Sequence, residues 1–146
     1  FIKIFFPNSK VIHCYRNSQD NFLSLYKNNF ASNQHMGWTF NPEKISSFYN
    51  LYSDLIKFWK VNYNNILYEV NYDKLVMEQR SEIEKLLSYC ELEFENECFN
   101  HHKNKSPITT VSMYQARKPI YKSSLNSSET YKKYLNKYYN QLNKVD

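Results

Sequence analysis

Two short apolar runs, each leading directly into a helix, set the narrowest limit on what this chain can fold into. "KVIHCY" (10–15) and "ILYEVNY" (66–72) are almost unbroken in apolar residues, as in parallel strands buried on both faces. After the first, Asn17 or Ser18 caps a helix with Asp20 in its first turn and Phe22, Leu25, Tyr26 and Phe30 on one stripe. Asn41-Pro42 opens a second helix, whose Ile45, Phe48, Tyr52, Leu55, Ile56 and Trp59 recur at helical spacing to about residue 60. A third covers "SEIEKLLSYCE" (81–91). Strand, helix, helix, strand, helix is the α/β order that implies a parallel sheet, with the stripe of helix 42–60 lying on it. Two strands fall short of a full doubly wound sheet. The chain also opens mid-pattern at "FIKIFFP" without an initiator Met, so the remaining strands are expected upstream. Residues 93–124 read as irregular, which in a compact domain points to function. Residues 128–143 read as an exposed helix rich in Tyr and Lys.

At 146 residues the chain suits one domain with a proper core. Its net charge of +5 favours anionic partners, but the lysines are scattered. A solvated surface is therefore the simpler reading, with a nucleic-acid face as its rival. Three cysteines, an odd number with no CxxC, fit a reducing, cytoplasmic setting better than a disulfide framework. No apolar run approaches the roughly 18 residues that a membrane span needs. The one glycine, Gly37, is the most selective number in the composition, because it excludes a glycine-rich phosphate loop from these residues. Any phosphate chemistry here relies on side chains and helix termini, or on a loop from elsewhere. No HExxH and no Cys/His pair at ligand spacing argues for a metal. A nucleophile built from His13 and Cys14 fails on geometry, since neighbours on a strand point to opposite faces.

Arg16 stands at the carboxyl end of the first strand, where open α/β sheets bind ligands. The following helix adds amide donors, and Ser24 adds a hydroxyl. A guanidinium matches phosphate with two parallel bonds, yet an arginine after a strand reads equally as a surface residue. Further on, "TTVSMYQARKPIYKSS" interleaves Arg117, Lys118 and Lys122 with Thr110, Ser112, Ser123 and Ser124. It reads as either the second half of an oxyanion clamp or a solvated basic loop.

These residues carry a resemblance. "FPNSKVIHCYRNSQDNFLSLY" resembles the 3′-phosphate-binding segment of sulfotransferases that use 3′-phosphoadenosine 5′-phosphosulfate (PAPS), with Arg16 and Ser24 as its arginine and serine. "ILYEVNYDKLV" resembles that family's later strand, and Tyr72 matches the tyrosine beside the adenine. "TVSMYQARKPIYKSS" is similar to the terminal motif of bacterial sulfotransferases associated with tetratricopeptide repeats, and more distantly of tyrosylprotein sulfotransferases. Thr110, Ser112 and Gln115 hold matching places, Lys118 matches a lysine of the tyrosylprotein enzymes, and Lys122-Ser123 falls on the 3′-phosphate clamp.

The resemblance spans residues 5 to 126 and departs at three points. "NSS" (126–128) replaces the usual glycine and tryptophan, and Asp73-Lys74 replaces Glu-Asp. The 5′-phosphosulfate loop and the catalytic base have no counterpart, so no catalytic residue is assigned.

The resemblance implies a P-loop NTPase-like parallel sheet flanked by helices, of which residues 1–146 are the C-terminal portion. It implies sulfuryl transfer from PAPS to a hydroxyl or amine acceptor without a metal. The expected cofactor-binding set is Arg16, Ser24, Tyr72, Thr110, Ser112, Lys118, Lys122 and Ser123. The rivals are an inactive sulfotransferase-like remnant and a basic nucleic-acid-binding module.

Overall fold

Among the described residues each strand leads within two positions to an asparagine that caps a helix, and that repetition builds the framework. The structure, a computed structural model, describes residues 1–28, 30, 34–63, 66–107, 113–143 and 145. Strand β1 (Val11–Tyr15) leads to Asn17, whose side chain accepts from the amides of Gln19 and Asp20 and so caps α2 (Ser18–Lys27). Such a cap satisfies amides that the helix leaves without partners. Strand β2 (Leu67–Asn71) ends at Asn71, which accepts from the amides of Asp73 and Lys74 at the start of a short helix, Tyr72–Met77. Between the strands, Asn41 caps the long helix Pro42–Asn62 in the same way, with proline in its first turn.

β1 and β2 pair in parallel, with Val11 opposite Leu67 and Tyr15 opposite Asn71. Numbered in chain order, the helices are α1 (Ile2–Phe5), α2, α3 (Pro42–Asn62), α4 (Tyr72–Met77), α5 (Gln79–Cys90), α6 (Met113–Ala116) and α7 (Lys132–Tyr139). Tight 3-10 turns cover Gln34–Phe40, Asn96–Lys103 and Ser127–Tyr131. The result is a helix-rich α/β arrangement around a two-stranded parallel sheet.

Burial departs from the sequence pattern in several places, among them α2, where Leu23 is buried, Tyr26 is exposed and the helix stops before Phe30. β1 is covered on one face only: His13 is buried, whereas Ile12 is 44% exposed and Cys14 is exposed. Its continuous apolar run therefore does not correspond to burial on both sides among the described residues. In α3 the buried positions are Ile45, Ser46, Tyr49 and Ser53. Phe48, Leu55 and Trp59, read from the sequence as core, lie on the exposed side. The core face is thus rotated from the apolar stripe, and Ser46 on it comes within 3.4 Å of the Tyr138 carbonyl of α7. Finally, α7 is no exposed terminal helix. Leu135 and Tyr139, one turn apart, join Phe22, Leu23 and Ile45 in the main core, and the Tyr139 ring meets Phe22 edge-on at 5.4 Å.

Candidate functional site

The strand register brings the site together. Because Tyr15 lies opposite Asn71, the next residues, Arg16 and Tyr72, emerge side by side at the carboxyl edge of the sheet. The Arg16 guanidinium sits over the Tyr72 ring, 5.3 Å from its centroid, as a cation on a π face. The turn is fixed by the Asn17 amide, which donates to Asp73 Oδ2 at 2.8 Å. This bond ties the start of α2 to the start of α4.

The terminal segment closes over the same point. Arg16 donates to the Ser124 carbonyl at 3.0 Å, and the Ser124 hydroxyl lies 3.4 Å from the Tyr72 hydroxyl. Arg16 retains bonding capacity: its Nε is buried with no partner among the described residues. Asp20 Oδ2, one helical turn on, stands 3.6 Å from the guanidinium.

A cavity of about 720 Å³ opens beside this group, lined by Arg16, Ser24 and Tyr72 and walled by Trp38, Phe48 and Tyr52. Its lining combines polar groups with aromatic rings, a composition that suits a flat ring carrying an anion. Ser24 faces it one turn beyond Asp20, with its hydroxyl 3.5 Å from Asn28 Nδ2. Arg16 also lines a smaller cavity of about 300 Å³ with Asn17, Ser18, Asn71 and Asp73. One guanidinium therefore serves both hollows at the sheet's carboxyl edge.

Beneath the aromatic wall runs a polar chain. His13 Nε2 is 2.5 Å from the Tyr52 hydroxyl, His13 Nδ1 is 3.2 Å from Glu69 Oε1, and Glu69 pairs with Lys60 at 2.9 Å. The carboxylate beside Nδ1 favours the proton there, which leaves Nε2 to accept from Tyr52. Burial above all, then the neighbouring Cys14, Glu69 and Tyr15, pushes the Tyr52 phenol above its ordinary value, so Tyr52 stays protonated. Cys14 also lines the cavity, and desolvation raises its thiol, which makes it a neutral wall and a poor nucleophile. Its neighbour His13 is buried and bonded to Tyr52 and Glu69.

The remaining sequence-derived residues are distributed unevenly. Lys122 and Ser123 lie exposed on the turn that leads into Ser124, close along the chain to Arg16's partner but outside the cavity lining. Lys118 is exposed, its ammonium 4.2 Å from the Tyr114 ring centroid and its carbonyl 3.1 Å from His101 Nε2. Gln115, three residues before it, does line the cavity. Thr110 and Ser112 lie outside the described residues. Among the described residues no cluster of His, Cys, Asp and Glu is placed to hold a metal, and no helix is long and apolar enough to cross a membrane.

Two residues that touch this site carry no signal in the motif reading. Ser124 was one hydroxyl among several in a basic stretch, and its role as acceptor for Arg16 comes from a backbone carbonyl that any residue provides. Asp20 looked like an ordinary first-turn acid, yet it is 1% exposed.

The comparisons with known proteins meet the geometry at this point. A protein of Aquifex aeolicus (strain VF5), carried as an "Uncharacterized protein", is 37% identical over 135 residues. That match takes in 92% of this chain but only 18% of the relative, so the chain spans less than a fifth of the relative's length. A model of the sulfotransferase family matches residues 1–96, a stretch that holds both strands, Arg16, Ser24 and Tyr72. On that match, which covers most of its length, the chain belongs to the sulfotransferase family.

Proposed function

We propose that this chain supplies the 3′-phosphate- and adenine-binding part of a PAPS-dependent sulfotransferase, acting on a hydroxyl or amine acceptor. The observation that carries this reading is the convergence of Arg16, Ser24 and Tyr72 on one cavity at the carboxyl edge of a parallel sheet. In this reading Arg16 and Ser24 grip the 3′-phosphate, which distinguishes the donor from other adenine nucleotides, and Tyr72 lies against the adenine. Lys122 and Ser123 approach the same phosphate from the terminal segment, and Thr110, Ser112 and Lys118 complete the expected cofactor-binding set. Residues 1–146 are then the C-terminal portion of one P-loop NTPase-like sulfotransferase domain in a cytoplasmic protein.

The chemistry asks little more of these residues. A planar sulfuryl group passes in line from a phosphate oxygen to the acceptor atom, so positioning and charge stabilisation dominate. The cations neutralise the leaving bisphosphate, which removes the need for a metal.

The test is calorimetry with paired ligands. Arg16→Ala should weaken binding of adenosine 3′,5′-bisphosphate by about 1.5–3 kcal/mol, the worth of a charge-assisted hydrogen bond. Binding of adenosine 5′-phosphate should hardly change. Equal losses for both ligands would make Arg16 a support of the fold, and the reading would fall.

A further inference from the structure

A carboxylate as deeply buried as that of Asp20 is costly unless donors surround it. Its donors come from one distant stretch of chain. The Asn126 amide donates to Oδ2 at 2.8 Å, the Ser128 amide to Oδ1 at 2.8 Å, and the Ser127 hydroxyl to Oδ1 at 3.3 Å. Asn126 adopts a left-handed backbone at φ 56°, a conformation that asparagine tolerates better than most residues. The turn there lets the amides of residues 126 and 128 reach the same side chain.

A first-turn acid usually serves the helix dipole from the surface. Asp20 does something more specific, because both of its oxygens are taken by residues more than 100 positions away. The segment it holds is the one whose Ser124 contacts Arg16 and Tyr72. At 3.6 Å the carboxylate also steadies the guanidinium beyond ordinary hydrogen-bond length. Arg16's donation to Ser124 therefore goes to a neutral carbonyl, which a phosphate oxygen can displace.

We infer that Asp20 is a positioning residue of the anion site: it fastens residues 126–128 to α2, which sets Arg16 and the terminal segment in register for a 3′-phosphate. This inference rests on the ligand reading above and adds a residue that acts without touching the ligand.

The experiment compares the protein as it occurs with Asp20→Ala and Asp20→Asn. Each is titrated with adenosine 3′,5′-bisphosphate and adenosine 5′-phosphate, and amide exchange is followed by mass spectrometry. Asp20→Ala should weaken the bisphosphate about 10- to 100-fold and the monophosphate less than about threefold. Asp20→Asn keeps one acceptor oxygen and should fall between. Exchange should rise at residues 124–128 while β1 and β2 stay protected. Unchanged bisphosphate affinity, or equal losses for both nucleotides, overturns the positioning role. Should Asp20→Ala not fold, Asp20→Asn carries the same comparison. If the unmodified protein binds neither nucleotide, the ligand reading falls separately, and exchange alone decides whether Asp20 holds the segment. Unaltered protection at 124–128 would then overturn the inference.

Discussion

Tyr139 shows how a side chain can belong to the core by shape and not by chemistry. Its ring is 3% exposed and packs on Phe22, while its hydroxyl has no hydrogen-bond partner among the described residues. Burial first, and then the nearby charges of Asp20 and Glu129, pushes its phenol up to about 12. An unfolded tyrosine ionises near 10. Between about pH 10 and pH 12 the folded chain thus holds a proton that the unfolded chain has lost. The stability from neutral Tyr139 is complete below pH 10 and falls as pH rises through 12. Tyr139→Phe removes the unpaired hydroxyl and leaves the ring. It should raise stability at neutral pH by about 1 kcal/mol in urea unfolding and flatten the alkaline loss. A loss of stability on making Tyr139→Phe would mean that the hydroxyl is satisfied in solution. At this same scale the candidate site was partly legible. Arg16 stood out because it follows an apolar strand run and strand ends are where such folds bind ligands, whereas Tyr72 was singled out only by the family resemblance. Asp20 and Ser124 were not legible, since their meaning lies in contacts more than 100 residues apart along the chain.

Among the elements, the strands and the caps were legible and the faces were not. Asn17 and Asn41 stood out because a short polar side chain before a helical period has few other uses. The two strands stood out as apolar runs between polar turns. α4 went unread because "YDKLVM" continues the apolar character of β2, and only the Asn71 cap marks the change. α7 was read as exposed because its tyrosines and lysines hide the Leu135–Tyr139 spacing that faces the core. α3 gives the sharpest test of how periodicity misleads. Its apolar residues cover more than half the helix surface, so hydropathy leaves the buried face undetermined. In the chain of residues 1–146, Ile45→Ala should cost about 2–5 kcal/mol, since Ile45 is fully buried. Leu55→Ala, at a position 52% exposed, should cost no more than about 0.5 kcal/mol. Equal costs in urea denaturation would restore the face read from the sequence.

On the proposed reading, the whole molecule separates holding a nucleotide from reacting with it. The described residues bring two cation-bearing stretches, around Arg16 and around residues 122–124, to one edge of the sheet, and the chain's net charge of +5 suits a ligand with several negative charges. The reactive end of that ligand is another matter. A phosphosulfate is cradled most readily by successive backbone amides in a glycine-rich turn, and these 146 residues contain only Gly37, which is not among the residues lining either cavity. The resemblance likewise assigns no catalytic base among these residues. Residues 1–146 prepared alone should therefore bind adenosine 3′,5′-bisphosphate by calorimetry yet transfer no sulfuryl group when PAPS and a phenol or amine acceptor are supplied. The two measurements fail differently. Absence of binding would show that the nucleotide site needs contacts beyond this chain. Turnover by the chain alone would place the reacting groups within it. His13 would then be the first to examine, because it is buried between Glu69 and a tyrosine that lines the cavity, an arrangement suited to moving a proton from an acceptor into the core.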